Sequence, residues 1–304
     1  MTDKIKLYYN NVEIYNDVSI CGLIHEMHSE KLADSLTVRL NDVSGMWSNW
    51  NPVEGDQIRL QYQYADTGVM YVNSLSAENG IFAIRALSVP AVSKEKKSRS
   101  WEGLSFIRLI SQIASEYGLS YKCYGVQERI YKYISQDNET NFEFLQRICE
   151  YESCAFTVYN KTIIVYDEIY MEGREGESII VGENGMFNYH KNNNVYSACT
   201  VTNGKINGIF ETGQGGSVLK KYAPATSRGE ASRFATGLLR SANKNSLTGT
   251  FRKSLHTQYS PASTAVLETE KASMWNKKVF LTRVRHDYLM NSTDVYFRGI
   301  LEGY

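Results

Sequence analysis

The chain has 304 residues, 42% of them hydrophobic and 22% charged, the proportions of an ordinary folded protein with room for two domains. Its 33 basic residues balance 33 acidic ones, which argues against a dedicated nucleic-acid binder or a protein that works on a membrane surface. Five dispersed cysteines (Cys21, Cys123, Cys149, Cys154, Cys199) form no C-x-x-C pair, and there is neither a signal-peptide apolar segment nor a run of about 18 apolar residues. Reduced thiols, synthesis in a cytoplasm and no membrane insertion are therefore expected.

The first third reads as strand after strand: Ile5–Tyr9, Ser19–Glu26, Ser35–Leu40, Gln57–Tyr64, Val69–Ser76 and Ile81–Leu87. Asn, Asp and Gly punctuate these short alternating runs, the cadence of an antiparallel sandwich or barrel. In Gln57–Tyr64 the residues Ile58, Leu60, Tyr62 and Tyr64 share one face, and Gln57, Arg59, Gln61 and Gln63 the other.

Lys94–Arg99 (KEKKSR) breaks this pattern and marks a first boundary, either as a solvated linker or as a docking loop for an acidic neighbour. A helix over about Phe106–Tyr117 follows, with Ser105 as N-cap, Leu104 and Leu109 as a hydrophobic staple and Gly118 as its stop. Next, Thr140 and Glu143 form a capping box that opens a helix over Asn141–Glu152, whose buried face carries Phe142, Leu145, Ile148 and Cys149. Ala155–Tyr159 and Thr162–Tyr166 then make a hairpin turning at Asn160-Lys161.

Met171–Glu177 is a polar joint. Beyond it Ser178–Val181, Val195–Asn203, Leu247–Ser254, Ala265–Glu270, Lys278–Asp287 and Thr293–Leu301 read as strands, and Gly213–Gly216 as a flexible loop. Ser227–Ala242 reads as a helix weakened by Gly229 and Gly237, at about 1 kcal/mol each relative to Ala. The fold class is mainly β with some α. Three domains are expected: residues 1–93 strand-rich, 94–176 mixed α+β, and 177–304 strand-rich with one helix.

Residues able to carry chemistry are few. His25-Glu26-Met27-His28 is not the H-E-x-x-H of a zincin, and a strand places positions 25 and 28 on opposite faces, so surface histidines near a strand end are the better reading. Gly208–Lys221 fails both phosphate-loop patterns and reads as a mobile loop. Cys149 or Cys154 with His190 would be a thiol nucleophile and base, but Cys149 falls on the buried face of its helix, where a free Cys acts as a small hydrophobe. Arg283 and Arg285 share a face with Val279 and Leu281 and point to an interface or a lumen. No catalytic, cofactor-binding or metal-binding residue is assigned. The 22 tyrosines suit subunit interfaces as well as exposed strand faces, and a glycan- or receptor-binding β-protein would also fit them.

Four stretches in order resemble the hub proteins of contractile injection tails, the late control D-type phage hubs and their relatives at the N-terminus of type VI secretion spikes. They are Asp34-Ser35-Leu36 followed by Trp47 or Trp50 and Gly55-Asp56-Gln57-Ile58; the tryptophan-led helix of Ser100–Leu119; the capped N-F-E-F-L helix with its hairpin; and the closing Val284-Arg285-His286 strand and Gly299 within Trp275–Leu301. The glycine-marked lead into the closing hairpin is absent around Ser263–Glu270. The resemblance implies two tube-like antiparallel β-barrels, interleaved with the α+β portion. It also implies a non-enzymatic homotrimer that adapts a six-fold tail tube, or its initiator protein, to a three-fold spike. Baseplate wedge proteins would surround it in a phage or phage-tail-like particle. With the sequence ending at Tyr304, the trimeric spike is expected to be a separate protein. The alternative is a tail-tip peptidoglycan hydrolase using paired carboxylates, although no such pair stands out.

Overall fold

The computed structural model describes residues 4–30, 33–182, 186–213, 216–269 and 275–304. In the first third, β1 (Lys6–Tyr9), β2 (Val12–Glu13), β3 (Ile20–His28), β4 (Ser35–Asn41), β5 (Gln57–Tyr62), β6 (Ala65–Asp66), β7 (Met70–Glu78) and β8 (Ile81–Leu87) are all antiparallel to their partners in this region. Alternation dictates the packing: Leu36, Val38 and Leu40 of β4 and Phe82, Ile84 and Ala86 of β8 turn inward. In β5 the expected face holds for Ile58, Leu60 and Tyr62. Gln63 then turns at φ 51°, leaving Tyr64 exposed beyond the strand.

The tryptophan loop contains a short helix, α1 (Met46–Trp50). The Asp42 carboxylate anchors it by accepting from Trp47 N at 2.8 Å and from Ser48 Oγ at 2.8 Å. Trp47 is the buried member of the pair, with Trp50 half exposed against it. Gly55-Asp56 has an equally local reason: Gly55 sits at φ 93°, and the Asp56 carboxylate gathers Val53 N, Asn10 Nδ2 and the Tyr9 hydroxyl.

Most of the basic run read as a linker or loop is strand. Its last four residues begin β9 (Lys96–Ser105), which leads into α2 (Phe106–Glu116) and β10 (Ser120–Tyr124). β9 pairs antiparallel with β11 (Ile130–Thr140). Lys97, Arg99 and Trp101 alternate toward the protein: Lys97 Nζ and the Arg99 guanidinium reach Glu116 on α2, and Trp101 stacks on Phe144, with ring centroids 5.2 Å apart. A strand whose neutralising acid lies on another element looks like a solvated run when only its own residues are read.

β11 feeds α3 (Asn141–Tyr151) through a complete capping box: Glu143 N donates to Thr140 Oγ1 at 3.1 Å and Thr140 N to Glu143 Oε2 at 2.8 Å. The hairpin β12 (Cys154–Tyr159) and β13 (Thr162–Asp167) turns at Asn160 and Lys161, both at positive φ (43° and 58°), as a two-residue turn requires. β10 adds parallel to β13, and α4 (Glu168–Glu172) closes this portion.

In the last portion, β14 (Glu177–Ile180) and β15 (Phe187–Lys191) precede β16 (Tyr196–Asn203), β17 (Ile206–Glu211) and β18 (Ser217–Tyr222). The supposed mobile loop Gly208–Lys221 therefore contributes to two strands flanking β16; residues 214 and 215, at its tip, lie outside the described residues. α5 (Arg228–Asn243), capped by Ser227, packs on this sheet and on α3. β19 (Leu247–Ser254), β20 (Thr264–Glu268), β21 (Lys277–Asp287) and β22 (Ser292–Gly299) complete the chain. Gly237, read as a weakness of α5, is where a Cβ would come within 2.2 Å of the Glu150 carbonyl oxygen of α3.

One large sheet runs β15-β19-β22-β21-β3-β4-β8-β7-β5-β1-β2. It wraps two separate cores, one lined by β1, β3–β8 and Tyr288, the other by β14, β15, β19–β22 and Met27. The third and largest core joins α2, α3, β12 and β13 to apolar residues of β16 and α5. The structure is mainly β with a few helices, and among the described residues no helix is long and apolar enough to cross a membrane.

Candidate functional site

The two barrel-like halves meet where β3 pairs antiparallel with β21, in register from Ile24↔Asp287 to Met27↔Val284 and Arg283↔His28. Apolar alternation fixes which residues face inward. A β-bulge between Leu281 and Arg283 then reverses that alternation, so Val279 and Leu281 share a core with Val284 and not with Arg283. Arg283 and Arg285 therefore leave the face expected for them. Arg283 Nη2 donates to Glu26 Oε2 at 2.6 Å and its guanidinium lies over Tyr296, while Arg285 Nη1 donates to Asp294 Oδ2 at 3.2 Å.

The histidines of the H-E-M-H run are not on the surface. His25 is 2% exposed and His28 8%. They also do not converge, since His28 Nε2 bonds Glu26 Oε1 at 2.9 Å whereas His25 stands opposite His286. Burial, and then the neighbouring His286, pull His25 down to about 3. His286 is lowered to about 4 by burial and then by His256. Asp34, from the D-S-L stretch, accepts from His28 N at 2.8 Å, and burial raises its carboxyl to about 7.

Below this joint the three cores are tied by buried charge. Glu168 and Glu172 of α4 face Arg240 of α5, Lys244 at the C-terminal cap of that helix, Arg298 of β22 and, through Lys244, Glu30 after β3. Burial would raise Glu168, but Lys244, Arg298 and Arg240 together hold its carboxyl below the usual range. These six residues were invisible in the sequence because no two of the participating elements are consecutive, except through the spacing of the pair on each helix.

Among the described residues no metal-binding cluster assembles around the thiols. Cys149 and Cys154 are buried, and burial foremost pushes both well above the ordinary thiol value. His190 lies exposed on β15, whose apolar residues line a different core from that of the two thiols. Cysteines of this kind are inert packing residues.

No protein-family model matches the sequence, and no curated protein matches it. Solved structures do. A tail protein from Neisseria meningitidis MC58 superposes with a TM-score of 0.75 at 10% identity, covering 97% of this chain and 96% of that one. The 43 kDa tail protein of prophage MuSo2 from Shewanella oneidensis gives 0.73 at 10% identity, covering 97% and 98%. An E. coli component of the type VI secretion system, itself described as similar to T4 bacteriophage tail proteins gp27 and gp5, gives 0.58 at 12% identity, covering 98% and 78%. At these identities the likeness is one of fold, and it runs the length of the chain: the protein has the fold of phage tail proteins and of their type VI secretion counterpart.

Proposed function

We propose that the chain is a structural subunit of a contractile injection tail, the hub at which a six-fold tube meets a three-fold spike. The observation that carries this reading is the pairing of β3 with β21, which puts two barrel-like units side by side on one sheet within one chain. Three such chains supply six units to a ring, matching a six-fold tube on one side while remaining three-fold toward a spike. Full-length similarity to tail proteins supports the same reading.

The partners in this reading are two further copies, the tail tube or its initiator, a separate trimeric spike and the surrounding wedge proteins, all within a released particle. The work is geometric, with no reaction. The domain division at 93/94 and 176/177 is part of the proposal, the three portions being interleaved by packing of β16 and α5 on the middle core; limited proteolysis that cut cleanly elsewhere would replace it. Light scattering on the purified chain, with negative-stain averages, tests the assembly. A trimer of about 104 kDa, three times 34.6 kDa, forming a ring with three- or six-fold features is expected. A compact monomer at every concentration, which also ignores a co-expressed spike, would sink the proposal.

A further inference from the structure

The strand β17 packs one face on α5 and leaves one edge open. Among the described residues it pairs only with β16. Thr212 N donates to Ser197 O at 2.9 Å, which fixes the phase of that ladder. Ile206, Gly208 and Phe210 bond β16, and the N–H and C=O groups of Asn207, Ile209 and Glu211 point away from it. Proteins usually guard such an edge with lysine, proline, a bulge or a covering segment. β18, on the other side of β16, carries exposed Lys220 and Lys221. β17 (INGIFE) has no lysine, no proline and no register shift, and Ile209 is 47% exposed.

We propose that the free edge of β17 is a docking site for an extended acidic segment of a partner protein, added antiparallel to β17 as a further strand of this small sheet. A cavity of about 510 Å³ follows the edge, lined by Thr200, by residues 205–209 and by Arg228 at the start of α5. Lys205 and Arg228 are both exposed, and among the described residues neither is paired with a carboxylate. They make the Lys205 end of the groove positive, whereas the other end carries the exposed carboxylate of Glu211. Complementary charge therefore selects a segment with carboxylates at its C-terminal end, which antiparallel addition lays beside Lys205. Main-chain bonds to Asn207, Ile209 and Glu211 supply affinity, and Ile209 offers an apolar contact to a side chain of the added strand.

A second copy fits this edge less well. Pairing β17 with its own copy about Gly208 would bring Lys205 opposite Glu211, a favourable match of charge. Gly208, however, lies directly under α5: a Cβ there would come within 2.2 Å of Ser232 N. Self-pairing would set the two α5 helices about 5 Å apart, one strand spacing, where packed helices need roughly 8–10 Å. A single extended segment brings no helix with it and avoids this clash.

Fluorescence anisotropy with a labelled peptide of alternating threonine and valine, ending in two glutamates, reads the site directly, whatever particle the chain belongs to. Saturable binding is expected, weaker by about tenfold or more for the same peptide ending in two lysines. Asn207→Pro and Ile209→Pro remove N–H groups that the β16 ladder does not use, so each should keep the wild-type circular dichroism and lose the peptide. Lys205→Glu should reverse the preference between the two peptides, while Lys220→Glu on β18 leaves it unchanged. No binding by the folded wild type, equal binding of both peptides, or binding that survives both prolines would overturn the proposal. Self-association that the prolines abolish, without peptide binding, would overturn it in favour of a second copy.

Discussion

Arg240 Nη2 donates to Glu172 Oε1 at 2.8 Å, with both side chains almost wholly buried, and so ties the long helix of the last portion to the short helix that closes the middle one. Around it, three carboxylates (Glu30, Glu168, Glu172) meet three cations (Arg240, Lys244, Arg298). Such a network balances only when complete. Arg240→Met, which keeps the bulk and removes the charge, should destabilise the chain by about 3–5 kcal/mol in urea titration, because it strands buried carboxylates. Lys94→Ala, breaking the exposed Lys94–Glu54 pair, should change it by less than about 1 kcal/mol. Similar losses from the two would show that the buried network is not what couples the helices.

The two glycines of α5 should respond in opposite directions. At Gly229 an added Cβ meets open space, and Gly229→Ala should stabilise by up to about 1 kcal/mol through helix propensity. At Gly237 the same methyl lies 2.2 Å from the Glu150 oxygen and 2.6 Å from that of Tyr151, both backbone atoms that cannot swing aside. Gly237→Ala should therefore cost about 1–3 kcal/mol despite the better propensity. Thermal melts of the two variants, read against wild type, settle the pair.

The helix capped by Thr140 offers a cleaner local test. Thr140→Ala removes one half of the capping box and should cost about 1 kcal/mol, by chemical denaturation. Since Glu143 still reaches back to the backbone N–H at position 140, the helix should shorten at its start and not melt.

Glu116 gives a pH dependence with a definite sign. Burial pushes its carboxyl up, but hydrogen bonds from Arg99, Asn141 and Lys97 outweigh this and hold it at about 2. Its unfolded value is near 4.5, so its contribution to stability is complete above that pH and fades as pH falls from 4.5 toward 2. The stability gap between wild type and Glu116→Gln should be widest near neutrality and close across that acid window; a gap constant with pH would contradict the assignment.

What was legible in the sequence follows from the range of the forces involved. The capping box at Thr140, the Asn160-Lys161 turn and the Ser105 cap depend on residues within a few positions of one another, and all stand where the pattern puts them. The misread segments owe their conformation to distant partners. Lys96–Arg99 is strand because β11 and Glu116 receive it, and Gly208 lies in a strand because the backbone of α5 packs against it. Arg283 and Arg285 changed face through one bulged residue, which period-two counting cannot register. The candidate site was least visible of all: His25 and His286 become neighbours only through the joint itself.

That joint also sets a timetable. β3 lies within the first thirty residues, and its partner β21 begins roughly 250 residues later. At a ribosomal pace of about 5–20 residues per second, the edge of β3 waits on the order of tens of seconds for its mate. During synthesis the first barrel-like half must therefore hold β3 paired to β4 on one side and open on the other, a template on which another nascent chain can anneal. His25 and Glu26 stand on that waiting edge. A polar and ionisable rim of this sort discourages premature pairing with hydrophobic strands, yet fits Arg283 and His286 when they finally emerge.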